Sequence, residues 1–270
     1  MKLSPLLGKL TEIALAAGTG VLRAYRETVT VEYKGPNDPV TSADRAANSL
    51  ICDALRSEFP DFPIVAEESD PSTFGEYQTA ECVFFVDPID GTREFLDRTD
   101  EFVVMIGFVR GPQAAAGVIH APASGLVWAG EVGAAAYQFT ATSQGKIIRP
   151  SRTERLSESH LLISRAHRSA RLNQHLEAIG PRAVRSVGSA GLKGAFVAEG
   201  QADAYLAPGM AGKRWDACAL DAVVTAAGGR VTDAAGAAIN YRAANLVNDT
   251  GLIVSNGALH ELLLAKLSTH

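Results

Sequence analysis

Cysteine is scarce in this chain: 270 residues carry three, Cys52, Cys82 and Cys218. They are too few and too scattered for a disulfide framework or a zinc site, and read as small core hydrophobes in a reducing compartment. Basic excess is missing as well, because 30 acidic residues outnumber 25 basic ones and leave a net charge of −5. That disfavours a binder of nucleic acid polymers, which needs a basic face, but leaves a small anionic substrate open. No apolar run is long enough to span a bilayer. Met1-Lys2-Leu3-Ser4-Pro5 opens without the apolar block and cleavage site of a signal peptide. Internal repeats, linkers and low-complexity tracts are absent too. A soluble, cytoplasmic protein without a membrane-spanning segment is expected.

What the chain does have is apolar residues, 47% of the total, enough for one large domain or two compact lobes sharing a core. Leu6, Leu7, Leu10, Ile13, Ala14, Ala17, Val21 and Leu22 recur at helical spacing and predict an opening amphipathic helix. Residues 34–39 predict a loop; Thr41 or Ser42 then caps a second helix that turns Leu50, Ile51, Ala54, Leu55 and Phe59 inward. Four short apolar segments, 102–110, 115–121, 126–131 and 135–139, are separated by turn residues and predict an antiparallel meander. Beyond about residue 150, strands (161–164, 183–187, 231–232, 252–254) alternate with helices (169–179, 192–198, 217–227, 258–267). Two lobes, 1–150 and 151–270, are expected within one continuous domain.

Chemistry concentrates in Val83-Phe84-Phe85-Val86-Asp87-Pro88-Ile89-Asp90-Gly91-Thr92. A buried strand ends in two acids three residues apart, where Pro88 stiffens the turn and Gly91 permits close backbone approach. Two carboxylates so held repel each other unless a cation lies between them, and hard divalent ions prefer such oxygens. The Gly91 and Thr92 amides, at a helix start, suit a phosphate oxygen. Taken alone, Asp-x-x-Asp after a strand is usually a solvated turn or a helix cap. Three further segments add acids at comparable places. Glu67 and Glu68 follow the apolar Ile64-Val65-Ala66, Asp216 precedes the helix that ends before Gly228-Gly229, and Asp44 opens the second helix. Strand ends and helix starts are where α/β proteins assemble sites.

The set Asp38-Pro39-Val40-Thr41-x-x-Asp44, Ala66-Glu67-Glu68-Ser69, Asp87-Pro88-Ile89-Asp90-Gly91-Thr92-x-Glu94-Phe95 and Trp215-Asp216 through Gly229 resembles the inositol monophosphatase superfamily of Mg²⁺-dependent, lithium-sensitive phosphatases. Arg93-Glu94-Phe95-Leu96, Ile163-Ser164-Arg165-Ala166-His167, Ser186 through Lys193 and Val197 through Ala202 narrow the resemblance to the 3'(2'),5'-bisphosphate nucleotidases. Residues 208–216 are closer to the animal members than to the enterobacterial ones, which have an arginine near Ala207.

The resemblance implies a layered α/β/α/β/α sandwich, with an antiparallel sheet in the N-terminal lobe and a mixed sheet in the C-terminal lobe. It also implies two or three Mg²⁺ ions. Glu67, Asp87 and the Ile89 carbonyl would hold one, and Asp87, Asp90 and Asp216 a second, with Glu68 behind them. Thr92, oriented by Asp44, would polarise the attacking water, and Asp90, Gly91 and Thr92 would bind the scissile phosphate. The implied substrate is a phosphorylated nucleotide, adenosine 3',5'-bisphosphate of sulfur metabolism or its 5'-phosphosulfate relative, in a monomer or homodimer. Its second phosphate calls for a cation away from the metals; Lys193, beside Ser189 at a helix start, His167 and Arg214 are the candidates. An inositol or other sugar monophosphatase is the nearest alternative, and a non-catalytic nucleotide or metal sensor a third.

Overall fold

The computed structural model describes residues 3–35, 38–165 and 169–268. Helix α1 (Pro5–Tyr25) starts where Ser4 Oγ accepts the Leu7 amide and Pro5 takes the first helical position. Strands β1 (Val31–Gly35) and β2 (Asp38–Thr41) form an antiparallel pair where a loop is expected. The residues of β1 are almost all exposed, so no alternation of burial announces the strand. Thr41 caps α2 (Ser42–Glu58), and Asp44 returns the favour by accepting the Thr41 amide at 2.8 Å. Ile51 and Leu55 face inward as expected, whereas Leu50 is exposed, one position round the helix.

The long β4 (Cys82–Asp90) pairs in parallel with the short β3 (Ile64–Ala66). A short helix, α3 (Thr92–Leu96), follows, then the meander β5 (Val103–Arg110), β6 (Gln113–Ala121), β7 (Leu126–Glu131), β8 (Ala136–Thr140) and β9 (Lys146–Ile147). These strands make a seven-stranded sheet in the order β3-β4-β5-β6-β7-β8-β9. The rest of the chain gives β10 (His160–Ser164), α4 (Ala170–Ile179), β11 (Ala183–Val187), α5 (Ala190–Ala198), β12 (Ala204–Ala207), α6 (Arg214–Ala227), β13 (Arg230–Thr232), β14 (Leu252–Ser255) and α7 (His260–Leu267). Its five-stranded sheet runs β11-β10-β12-β14-β13 and is mixed, with β10, β11 and β12 parallel and β14 antiparallel to its neighbours.

Three cores hold five layers together, the middle one filling both faces of the α5/α6 layer. Phe84 and Val86 pack with α1 and α2, while Val83 and Phe85 on the opposite face pack with α5 and α6. Burial on both faces is why β4 reads as a continuous apolar run rather than an alternating one. Leu162 joins the α5/α6 core; Leu161 and Ile163 turn to α4 and α7. Helix α6 lies close against the first sheet because Gly107, Gly117 and Gly130 leave room. A Cβ there would stand 2.7 Å from Cys218 Cβ, 2.9 Å from Ala219 Cα and 2.9 Å from Val223 Cα respectively. No helix among the described residues is long and apolar enough to cross a membrane.

One buried acid on α6 sets a pH dependence. Asp221 accepts the Tyr241 hydroxyl at 2.9 Å and the Thr225 hydroxyl at 3.1 Å. Burial pushes its pKa up from 3.8 to about 6, against those two hydrogen bonds. A folded pKa above the unfolded one gives stability that is complete below pH 3.8 and is lost as pH rises through about 6. Asp221→Asn keeps an acceptor for Tyr241 and does not ionise. Its melting temperature relative to the native chain should therefore climb from about pH 4 to pH 6 and then level off. A difference that stays flat with pH would contradict the assignment.

Candidate active site

Backbone pairing assembles the acids. The parallel register sets Ala66 beside Val86, and the Glu67 amide donates to the Val86 carbonyl at 3.1 Å, so Glu67 and Asp87 leave their strands side by side. Residues three apart on a regular strand point to opposite faces. Here the pairing of β4 with β5 slips between Asp87 and Asp90, at Pro88, which has no amide to give the ladder. The irregularity brings both carboxylates to one side. Asp216 arrives from the other half of the chain. Helix α6 begins at Arg214, three residues earlier than its sequence pattern suggests, and Asp216 in its first turn accepts the Lys213 amide at 2.6 Å. Ligand oxygens of Asp87, Asp90 and Asp216 lie within 4.8 Å of one another.

The donor set fits a hard divalent cation, being all carboxylate oxygen and crowded. Burial, then the charges of Glu67 and Asp90, raise the pKa values of both Asp87 and Asp216 well above the carboxylate range. A bound cation relieves both. Glu67 stands apart from the trio. Its carboxylate lies 2.8 Å from Lys34 Nζ, which also holds Glu68 at 2.7 Å. Burial raises the Glu67 pKa while Lys34 opposes the rise. Lys34 comes from β1, the strand the sequence concealed. A cation at this edge would meet an ammonium that already bridges two glutamates.

Beside the acids, Thr92 Oγ1 lies 2.9 Å from Asp44 Oδ1 and 3.1 Å from the Ile89 carbonyl. Asp44 Oδ2 accepts the Thr41 amide and, at 2.5 Å, the Thr41 hydroxyl. Burial pushes the Asp44 pKa up against these bonds. Gly91, at φ +97°, makes the turn from strand to α3, and a Cβ there would lie 2.8 Å from the Glu101 carbonyl. A cleft of about 490 Å³ opens over Glu67, Asp90, Thr92 and Asp216, and runs on to Tyr205, Ala207, Met210 and Val247.

Three candidates for the second phosphate fare differently. His167 lies outside the described residues. Arg214 turns to the Asn248 side chain and is not on the cleft wall. Lys193 borders the cleft but is only 2% exposed; Nζ donates to the Val187, Gly188 and Ser189 carbonyls at 3.3, 2.8 and 2.6 Å. Its three protons are spent, and burial lowers its pKa to about 8 despite the nearby acids. Lys193 thus lines the cleft with its ammonium held by the loop carbonyls. Arg93 and Lys213, to which the sequence assigns no role, are both exposed and line the cleft. Lys213 Nζ stands 4.8 Å from the centre of the Trp215 ring.

Comparison with known proteins agrees with this geometry. The profile described as the inositol monophosphatase family matches residues 2–270. The chain is 34% identical over 238 residues to the 3'(2'),5'-bisphosphate nucleotidase CysQ of Escherichia coli strain K12, covering 87% of this chain and 94% of that protein. To the protein of the same name from Aggregatibacter actinomycetemcomitans it is 32% identical over 241 residues, 88% of this chain and 86% of the other. Among solved structures, the extragenic suppressor protein suhB from Bartonella henselae superposes with a TM-score of 0.84 at 29% identity over 98% of both chains. An inositol monophosphatase from Anabaena gives 0.80 at 28% identity, covering 98% of this chain and 95% of that one.

Proposed function

Since the chain belongs to the inositol monophosphatase family, an enzyme family of phosphatases using divalent metal, we propose that it is a Mg²⁺-dependent 3'(2'),5'-bisphosphate nucleotidase. It removes the 3'-phosphate of adenosine 3',5'-bisphosphate, leaving AMP and inorganic phosphate. The observation that carries this reading is the shape of the cleft, in which a wall of Tyr205, Ala207, Met210 and Val247 continues from the acid trio. Met210 is 72% exposed there, an apolar surface with no use for a polyol but suited to a flat base. Relatives named as bisphosphate nucleotidases at 32–34% identity support it.

Bound Mg²⁺ ions supply charge neutralisation of the phosphate and a lowered pKa for the attacking water. The protein's own groups orient what reacts. Asp44, with Oδ2 occupied by Thr41, offers Oδ1 to the Thr92 hydroxyl proton. The Thr92 oxygen is thereby left with lone pairs for a water hydrogen, which fixes the direction of attack on phosphorus. The Gly91 and Thr92 amides meet the phosphate oxygens, and Arg93 and Lys213 are the cations that face the second phosphate.

Initial rates settle the substrate class. Adenosine 3',5'-bisphosphate and its 5'-phosphosulfate relative should exceed inositol 1-phosphate in kcat/KM by about a hundredfold, since binding a second phosphate and a base each contributes a factor of ten or more, and should exceed inositol 1,4-bisphosphate and fructose 1,6-bisphosphate, which have a second phosphate but no base, by about tenfold. A preference for inositol 1-phosphate would move the protein to the sugar-phosphatase branch.

A further inference from the structure

Lys193 has an unusual setting for a buried lysine. All three of its hydrogen bonds go to carbonyls of one short segment, Val187, Gly188 and Ser189, and Nζ stands 4.8 Å from the centre of the Tyr205 ring. The same segment is gripped from the far side. Glu101 Oε2 accepts the Gly188 amide at 2.6 Å and the Arg165 guanidinium at 2.6 Å. Between the two grips Ser189 has φ +43° and ψ +125°, a backbone conformation that a residue with a Cβ adopts only when its surroundings impose it.

The consequence appears one bond further on. Ser189 Oγ donates to Asp90 Oδ2 at 2.6 Å, and the Gly191 amide donates to the same oxygen at 2.6 Å. Ser189 Oγ in turn accepts the Leu192 amide at 3.0 Å, which fixes the hydroxyl proton toward Asp90. One oxygen of Asp90 is thus claimed by the loop, and Oδ1 is left over.

We propose that Lys193 and Ser189 are positioning residues for Asp90: the lysine gathers the 187–189 carbonyls, the gathered loop aims the Ser189 hydroxyl and Gly191 amide at Oδ2, and Oδ1 is thereby the oxygen presented to the metal. The proposal rests on the metal-dependent reading above and assigns Lys193 no contact with substrate. Residues that orient metal ligands from behind typically cost about 10–100-fold in metal affinity when removed.

Direct Mn²⁺ binding, measured calorimetrically on the native chain, Ser189→Ala and Lys193→Met, tests it alongside steady-state kinetics and melting temperature. Both variants should bind Mn²⁺ about tenfold or more weakly. They should lose kcat to the same extent on adenosine 3',5'-bisphosphate and inositol 1-phosphate at a fixed, subsaturating Mg²⁺ concentration, with KM for either substrate nearly unchanged. Ser189→Ala removes one hydroxyl, so its fold is safe; if Lys193→Met does not fold, Ser189→Ala decides. Native Mn²⁺ affinity in Ser189→Ala overturns the proposal. So does a Lys193→Met enzyme that keeps its Mn²⁺ affinity and raises KM for the bisphosphate alone, since that is the signature of a direct phosphate contact. A native chain that binds no Mn²⁺ removes the metal reading and the proposal with it, whereas a native preference for inositol 1-phosphate removes only the nucleotide reading and leaves the Mn²⁺ comparison standing.

Discussion

Asp87→Asn is expected to abolish turnover and, in the metal-free protein, to raise the melting temperature. Both effects have one cause. Asp87 is 1% exposed, and burial together with the charges of Glu67, Asp90 and Asp216 favours its neutral form. Metal-free, its charge is a burden; metal-bound, it is the means of holding the cation. Losing a carboxylate proposed to hold the cation should remove several kcal/mol of transition-state stabilisation, which is about a thousandfold or more in kcat. Relief of like-charge crowding in the metal-free state should add roughly 2 °C or more for each kcal/mol gained. Adding Mg²⁺ should reverse the order, because only the native chain gains binding free energy. Asp90→Asn should behave alike, with a smaller rise in melting temperature, since the Ser189 hydroxyl and the Gly191 amide already stabilise the Asp90 carboxylate. Near-normal turnover by either variant at saturating Mg²⁺, or melting temperatures that climb equally with Mg²⁺, would sink the assignment.

The second large effect is expected at Thr92 and Asp44. Thr92→Ala and Asp44→Asn should each lower kcat by about a hundredfold or more with little change in KM, as for groups that orient or move a proton. The double variant should be scarcely worse than the worse single one, because either change breaks the same hydrogen bond. Asp44→Asn carries a separate cost. Both oxygens of Asp44 act as acceptors, Oδ1 for Thr92 and Oδ2 for Thr41 at the start of α2. An amide has one oxygen, so the variant either loses the Thr41 contact or turns an N–H toward Thr92 and reverses that bond; in both cases Thr41 loses a charged acceptor, and the melting temperature should drop by more than that of Thr92→Ala. Multiplicative losses in kcat would show that the two residues do not act as a unit.

The acids were legible because each carries its own local signal. Glu67 and Asp87 end apolar runs, and Asp44 and Asp216 sit at helix starts, so their positions follow from patterns a few residues long. Their convergence was legible only through the family resemblance; the slip in pairing at Pro88 that turns Asp90 to the same side leaves no mark in the periodicity. Lys34 was hidden because β1 is exposed along its length and draws its pairing from β2. Strand β12, Ala-Tyr-Leu-Ala, is too short to distinguish from the end of a helix by its pattern alone. Lys193 is the clearest case of a residue whose type was read and whose surroundings were not. A positive charge near a helix start suggests solvent or an anion, and only the folded backbone shows that the helix turns it back onto the carbonyls preceding it.

The glycines under α6 bear on how the site works as a machine. Asp216 rides on a helix that rests on β5, β6 and β7 at Gly107, Gly117 and Gly130, with only small side chains such as Cys218 and Ala226 at the seam. The spacing between Asp216 and the acids of β4 is therefore gauged by close contacts with no room for even one added Cβ, which leaves little to stretch or repack. Such a seam works as a fixed jaw. Opening and closing like a hinge would tear it, so ligand exchange falls to the rim: the β1–β2 hairpin that carries Lys34, and the segment around Met210. Substitutions at that rim should change what is gripped without disturbing the gap in which it is cut.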